Sequence, residues 1–247
     1  MVFEQRYIVV GDVHGNWRDT EILLKKASYE PTKDRLIFVG DYNDHLPYSD
    51  FSVRKLIDNL IALHRKSPGD VFFIRGNHDL WFAEWLLHGG APPESWYFQG
   101  GRETLASYEI VNMWGDQDEC DKVPQPHKEF ICDLVDQYYL DDHMLVIHGG
   151  FTTEMQMQTI AEGGRLSKED LTRIVWDRYY IFSESHSAHA LYQKYFAERY
   201  LITGHTPEGP FVNPCNPKWI LANAASRGER LCAVVIEGDQ EYSFVYA

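Results

Sequence analysis

The stretch IVVGDVHG (residues 8–15) is a short apolar run that ends in potential metal ligands flanked by glycines. The pattern recurs at GDYND (40–44), GNHD (76–79), HGG (148–150) and GHTP (204–207). Each cluster follows a run of mostly branched apolar residues, which is typical of strands buried on both faces. The five predicted strands are Ile8–Val10, Leu36–Val39, Val71–Ile74, Met144–Ile147 and Leu201–Ile202.

The ligand clusters follow the carboxyl ends of these strands. Ligands bind at that edge of open α/β sheets, so residues far apart in the sequence can meet in one crevice. The candidate ligands are Asp12, His14, Asp41, Asn77, His148 and His205. Carboxylate, amide and imidazole donors suit manganese, iron or zinc better than ions that prefer thiols. One cluster alone could be ordinary turn chemistry, but five in order predict a two-metal hydrolase.

Helical patterns separate the strands. Apolar residues recur with helical spacing from Val53 to His64, and Ser167 with Asp170 resembles a capping box that opens a helix toward Trp176. Three further helices are predicted at Trp17–Ala27, His127–Tyr139 and Ala188–Arg199, and a return strand at Leu231–Ile236. Alternating strands and helices indicate an α/β architecture.

The composition fits one domain over residues 1–247, with 44% hydrophobic residues. A net charge of −14 argues against a nucleic-acid surface or an anionic membrane as partner. The four cysteines form no CxxC pair, and no signal-peptide pattern or stretch of ~20 apolar residues is present. We therefore expect a cytoplasmic protein with reduced thiols.

The ordered motif set resembles the calcineurin-like metallophosphoesterases, in particular the phosphoprotein phosphatase branch with its bacterial and phage relatives. Three weaker segments resemble bacterial Ser/Thr protein phosphatases and symmetrical dinucleoside tetraphosphatases: WYFQGGRETLASY (96–108), Pro126-His127 and Trp176-Asp177-Arg178. The resemblance implies an α-β-β-α sandwich, in which two mixed sheets pack face to face and are flanked by helices.

The resemblance also implies a role for each residue. Asp12 and His14 would bind one metal, Asn77, His148 and His205 a second, and Asp41 would bridge the two. His78 would be the proton donor, oriented by Asp44. Two divalent ions, manganese foremost and iron or zinc as alternatives, would supply a bridging hydroxide that attacks phosphorus in line.

The chain departs from the family where substrate phosphate would be bound. The usual Asp-Arg-Gly reads Asp44-His45-Leu46 here, so a bidentate cation is replaced by His45, which has fewer donors. Arg178 is a candidate replacement, the alternative being an ordinary surface arginine. Tyr179 and its neighbour Tyr180 are candidates for stacking on substrate. Asp79, where eukaryotic protein phosphatases commonly have glutamate, is similar to the tetraphosphatases.

The sequence leaves three functions open. The leading hypothesis is a metal-dependent phosphomonoesterase that resembles a prokaryotic Ser/Thr protein phosphatase, acting on a phosphorylated protein or nucleotide. The second is a symmetrical dinucleoside polyphosphate hydrolase. The third is a non-catalytic metal-binding scaffold, against which the retention of both His78 and Asp44 argues.

Overall fold

The computed structural model describes residues 5–44, 51–87, 94–111, 117–222, 230–238 and 241–247. These residues contain the strands β1 (Arg6–Val10), β2 (Asp34–Phe38), β3 (Val71–Phe73), β4 (Tyr139–Leu140), β5 (Met144–Val146), β6 (Tyr200–Thr203), β7 (Phe211–Val212), β8 (Trp219–Leu221), β9 (Cys232–Ile236) and β10 (Tyr242–Tyr246). The strand predictions and the return strand are thereby confirmed.

The described α-helices are α1 (Trp17–Lys26), α2 (Val53–Lys66), α3 (Asn77–Leu87), α4 (Glu94–Trp96), α5 (Arg102–Ser107), α6 (Gln117–Cys120), α7 (Gln125–Glu129), α8 (Glu154–Ala161), α9 (Lys168–Trp176) and α10 (His186–Phe196). Ser167 caps α9 by accepting the backbone N–H of Asp170, so the predicted start of that helix is confirmed. None of the helices in the described ranges is long and apolar enough to cross a membrane.

The strands form two five-stranded mixed sheets. The first has the order β10-β9-β1-β2-β3 and the second the order β4-β5-β6-β8-β7. β1, β2 and β3 are parallel neighbours, as are β5, β6 and β8. β9 and β10 of the first sheet and β4 and β7 of the second pair antiparallel with their neighbours. The parallel strands therefore present the carboxyl ends from which the predicted ligand clusters emerge.

The alternation of side chains along each strand builds three apolar layers. Val9 and Ile37 of the first sheet pack against Val146 and Ile202 of the second, between the two sheets. The opposite faces pack against α1, α2 and α3 on one side and against α8, α9 and α10 on the other. Full burial of each such side chain contributes ~1.5–3 kcal/mol, so both faces stabilise the sheets. The predicted α-β-β-α sandwich is confirmed.

The predicted helix His127–Tyr139 is wrong in its extent. α7 continues through a π-helical turn at Phe130–Leu134, and Val135 is already extended with φ −75° and ψ 114°. The guanidinium of Arg75 binds the carbonyl oxygens of Ile131 and Val135 at 2.7 and 2.8 Å. This buried cation satisfies carbonyls that would otherwise be left unpaired at the helix end, a contact that no local pattern reveals.

Candidate metal centre

The loops that follow β1, β2, β3, β5 and β6 converge at one edge of the sandwich. Ligand atoms of Asp12, His14 and Asp41 lie within 4.8 Å of one another, and those of Asp41, His148 and His205 do so as well. Asp41 therefore belongs to both groups. Asn77 joins the second group, because its Oδ1 lies 3.1 Å from Nε2 of His148. The structure thus brings together all six side chains selected from the sequence.

Hydrogen bonds orient the imidazoles toward a shared centre. Nδ1 of His14 donates to the carbonyl of Asn43, and Nδ1 of His148 donates to the carbonyl of Val39, both at 2.8 Å. Carbonyl oxygens only accept, so each ring keeps Nε2 for a ligand.

The acceptor atoms on the second side crowd around His148. Its Nε2 lies 3.1 Å from Oδ1 of Asn77 and 3.3 Å from Oδ2 of Asp41. His205 Nε2 is buried and has no hydrogen-bond partner among the described residues. This crowding of nitrogen and oxygen ligand atoms, with one unpartnered imidazole nitrogen among them, fits a bound divalent cation.

The electrostatics of the cluster also fit a cation. Burial raises the pKa of Asp12 to about 7, and His148 offsets part of this rise. Burial lowers the pKa of His205 to about 2, with a further contribution from His148. Burial lowers the pKa of His148 too, but the carboxylates of Asp41 and Asp12 outweigh it and raise that pKa to about 9. Opposed shifts within one buried cluster are typical of functional sites.

The backbone around the centre is held in an uncommon conformation. His14, Asp41, Asp44 and His205 all have left-handed φ angles, of 40°, 54°, 66° and 67°. Such conformations cost ~1–3 kcal/mol each and persist only where surrounding contacts impose them. Gly76 is required by close packing, because a Cβ there would lie 2.1 Å from Oδ1 of Asp41. The chain therefore trades local backbone stability for the placement of these side chains.

Asp79 holds two of the ligand loops together, a role that the sequence analysis missed. Its buried carboxylate accepts the backbone N–H groups of Asp41, Tyr42 and Gly76, each at 2.8 Å. These bonds tie the loop after β2 to the loop after β3 and so position both Asp41 and Asn77. The available signal was an acidic residue directly after the Gly-Asn-His cluster. In the structure, Asp79 supports the loops of the candidate centre.

The predicted dyad residues are in direct contact. Nδ1 of His78 lies 2.6 Å from Oδ2 of Asp44, and both side chains are buried. The His78 backbone N–H also donates to Oδ1 of Asp41 at 3.0 Å, which places the imidazole beside the metal cluster. Burial lowers the pKa of His78, but the charges of Asp41 and Asp44 outweigh it, so the pKa is raised above its ordinary value. These two carboxylates thus favour the protonated form of the imidazole.

Two indole rings flank the centre. Trp81 meets the His78 ring edge to face at 5.3 Å, and Trp176 meets His205 in the same way at 5.6 Å. The two indoles contact each other with ring centroids 4.9 Å apart. The two indoles thus form a continuous apolar contact from His78 to His205.

The candidate substrate residues differ in their positions. Arg178 follows α9 and lies close enough to His205 for its charge to contribute to the lowered pKa of that imidazole. Tyr179 is 82% exposed and lies free of the core. Tyr180 instead stacks on Trp219 with ring centroids 5.1 Å apart, so it is a packing residue rather than a platform for substrate. His45 lies outside the described residues.

Comparison with known proteins agrees with this geometry. The family model "Calcineurin-like phosphoesterase" matches residues 5–209. A symmetrical bis(5'-nucleosyl)-tetraphosphatase of Coxiella burnetii is 36% identical over 89 residues, which is 36% of this chain and 27% of that protein. The serine/threonine-protein phosphatase 6 catalytic subunit of Drosophila melanogaster is 25% identical over 179 residues, covering 68% of this chain and 48% of that protein. The chain thus spans less than half the length of either relative.

A solved structure extends the comparison to almost the whole chain. The cold-active protein-tyrosine phosphatase of a psychrophilic Shewanella species is similar, with a TM-score of 0.62 at 14% identity, covering 98% of this chain and 82% of that one. At this identity the likeness bears on the fold alone.

Proposed function

Because the chain belongs to the calcineurin-like phosphoesterase family, we propose that it is a metal-dependent enzyme that hydrolyses phosphate monoesters. The observation that carries the proposal is the contact between the buried His78 and Asp44 beside two groups of potential metal ligands that share Asp41. A structural metal site needs ligands but has no use for an oriented proton donor. This pairing therefore favours catalysis over the scaffold hypothesis.

The proposed centre holds two divalent cations, with manganese the first choice and iron or zinc as alternatives. Asp12, His14 and Asp41 would hold one ion, and Asp41, Asn77, His148 and His205 the other, so that Asp41 is shared. When bound, such ions would lower the pKa of a coordinated water and neutralise charge on the phosphoryl oxygens.

The side chains supply the remaining requirements. Asp44 accepts the Nδ1–H of His78, so the imidazolium has its Nε2 proton available for the leaving oxygen. Asp79 holds the loops that carry Asp41 and Asn77. Arg178 would provide a fixed cation for the substrate phosphate, in place of the arginine that the motif at 44–46 lacks. All four cysteines are free, which supports a reducing compartment such as the cytoplasm.

Symmetrical cleavage of dinucleoside tetraphosphates is the second candidate. It is supported by the match to the Coxiella burnetii protein, whose name states that activity. Asp79 has a structural role in either candidate, because its carboxylate accepts three backbone N–H groups of the ligand loops. The substrate would in either case be phosphorylated, as a protein or as a nucleotide.

A comparison of three substrates tests the proposal. Metal-stripped protein is reconstituted with manganese, iron or zinc and given 4-nitrophenyl phosphate, a phosphothreonine peptide or diadenosine tetraphosphate at equal concentration. We expect phosphate release from the monoester and the peptide to be faster than cleavage of the tetraphosphate. Faster tetraphosphate cleavage, with ADP as the sole nucleotide product, would replace the first proposal by the second. Metal binding without turnover of any of the three would favour the scaffold.

A further inference from the structure

The segment WYFQGGRET (96–104) has no assigned role, yet two of its side chains reach the Asp44 carboxylate. The indole N–H of Trp96 donates to Oδ2 at 2.7 Å. The Thr104 hydroxyl donates to Oδ1 of Asp44, and the hydroxyl oxygen of Thr104 in turn accepts the Asp44 backbone N–H at 2.9 Å. All three residues are buried. Together with Nδ1 of His78, these groups give the carboxylate three side-chain donors and fix its plane.

The glycines of the segment make this convergence possible. α4 and α5 are joined by a π-helical turn in which Gly100 has a φ of 107°, and this break redirects the chain. A Cβ on Gly101 would lie 2.6 Å from Cδ2 of the Trp96 indole, so only glycine lets the ring lie against the turn. The turn brings donors from both helices onto one carboxylate.

The chain that directly follows the segment is anchored at a distance from the centre. The Tyr108 hydroxyl is hydrogen-bonded to Nδ1 of the buried His127 at 3.0 Å, and Nε2 of His127 contacts Asp58 of α2 at 2.9 Å. On its inner side, the Trp96 ring packs against Phe82 and Trp85 of α3, the helix that begins at the ligand Asn77. This packing leaves the two donors little freedom to move.

We propose that Trp96 and Thr104 are positioning residues for the proton donor. They hold the Asp44 carboxylate in the orientation that accepts Nδ1–H of His78, and thereby keep the imidazolium aimed at the leaving oxygen. The inference rests on the proposed function, since it requires His78 to protonate a leaving group. The side-chain hydrogen bonds described for Trp96 and Thr104 run to Asp44 and not to the six metal ligands.

The basicity of the leaving group allows a positioning role to be distinguished from a general loss of structure. An alkoxide or phenolate that is strongly basic needs the proton, whereas 4-nitrophenolate leaves without much help. A misplaced acid therefore slows phenyl phosphate more than 4-nitrophenyl phosphate, whereas damage to the fold or the metal site slows both alike.

Metal-loaded variants supply the kinetic test. For Thr104→Val and Trp96→Phe we expect kcat on phenyl phosphate to fall ~10–100-fold, with a change of less than ~3-fold on 4-nitrophenyl phosphate and an unchanged metal content. Thr104→Ser keeps the hydroxyl and should restore the phenyl phosphate rate. Trp219→Phe is the matched control, because Trp219 is an equally buried indole of the second sheet that packs against Tyr180 and Tyr192 rather than against the segment or Asp44.

A proton NMR spectrum provides a readout that does not depend on turnover. The short bond from His78 to Asp44 should give a downfield Nδ1–H resonance, identified by its loss in His78→Asn. We expect that resonance to shift or broaden in Thr104→Val and Trp96→Phe and to persist in Thr104→Ser and Trp219→Phe.

The outcomes distinguish the two proposals. The positioning role is tested on the condition that His78→Asn slows phenyl phosphate more than 4-nitrophenyl phosphate. Under that condition, the role would be overturned if Thr104→Val and Trp96→Phe lost rate equally on both aryl phosphates. An unchanged resonance in these variants would overturn it as well. If His78→Asn itself slows both substrates equally, the acid assignment fails and the positioning role fails with it. If the wild type hydrolyses neither aryl phosphate, the monoesterase proposal fails, and the resonance alone decides whether the two residues position the imidazole.

Discussion

Nδ1 of His78 lies 2.6 Å from Oδ2 of Asp44, although the two residues follow different strands of the first sheet. Asp44 lies on the loop after β2, and His78 lies in the first turn of α3, which follows β3. Parallel neighbours bring both loops to the same edge. The contact therefore depends on the same register that brings Asp41 and Asn77 together, so the proposed donor and the proposed metal ligands are placed by one feature of the fold.

Replacing either member of this pair should remove the proton donor and leave the metals bound. For His78→Asn and Asp44→Asn we expect kcat on a phosphopeptide to fall ~10²-fold or more, because general acid catalysis typically contributes 10²–10⁴. Asp44→Asn would also replace one carboxylate oxygen by an NH2 group, which donates hydrogen bonds and cannot accept Nδ1–H. Steady-state kinetics together with metal analysis of the purified variants checks this. Full turnover by His78→Asn would show that the acid is another group.

Asp79→Asn should weaken both the fold and the metal centre. The variant keeps one acceptor oxygen for three backbone N–H groups and turns a donor toward one of them, so we expect a loss of ~2–4 kcal/mol in the free energy of unfolding. Metal affinity should fall ~10–100-fold, the usual effect of removing a support of a metal ligand. Denaturation and metal titration measure the two losses separately.

Asp34→Asn is the matched control for Asp79→Asn. Asp34 is also buried, and its carboxylate accepts from Arg6 and from the Glu30 backbone N–H, away from the ligand loops. It should lower stability without changing metal affinity. Equal metal affinity in wild type and Asp79→Asn would contradict the support that we assign to Asp79.

The sequence predicts the layers and the ligands because both follow from local patterns. Apolar runs fix the strands, and a parallel arrangement then carries Asp12, Asp41 and Asn77 to one edge. The supports of the centre were not predictable in this way. Asp79 binds backbone N–H groups of another loop, and Trp96 reaches Asp44 across 52 positions of the chain. Such contacts depend on how loops fold over one another, which periodicity does not encode.

Arg178 offers a test of phosphate recognition. We expect Arg178→Ala to raise KM for a phosphomonoester ~10-fold or more, since loss of a charge-assisted contact typically costs ~1.5–3 kcal/mol. Arg173→Ala is the control, because Arg173 pairs with Glu169 on the exposed surface of α9. Initial rates over a range of substrate concentrations measure KM. Equal KM values for the wild type and Arg178→Ala would show that Arg178 is an ordinary surface residue that does not bind the substrate phosphate.

The acid stability of the fold should depend on Asp141, which lies away from the metal ligands. Burial raises the pKa of this carboxyl, but hydrogen bonds from the hydroxyls of Tyr139 and Tyr7 outweigh it and leave the pKa below the ordinary 3.8. A depressed pKa in the folded state stabilises the protein above pH 3.8, and this contribution disappears as the pH falls through the folded-state pKa.

Asp141→Asn should therefore have a lower free energy of unfolding than the wild type at neutral pH. The difference between the two proteins should shrink as the pH falls below 3.8. Urea denaturation of chelator-treated protein at a series of pH values measures this, because metal linkage is then absent from both proteins. A deficit that stayed constant from neutral to acidic pH would mean that the Asp141 charge contributes nothing to folding.

The most direct test of the central claim is a manganese titration of metal-stripped protein, read as the initial rate of 4-nitrophenyl phosphate hydrolysis by wild type and by Asp41→Asn. Because Asp41 belongs to both ligand groups, we predict that wild-type activity is absent without metal and saturates at two ions per chain. Asp41→Asn should remain at least ~100-fold slower at every manganese concentration. Undiminished hydrolysis after metal removal, or a wild-type rate in Asp41→Asn, would contradict a metal-dependent centre built around Asp41.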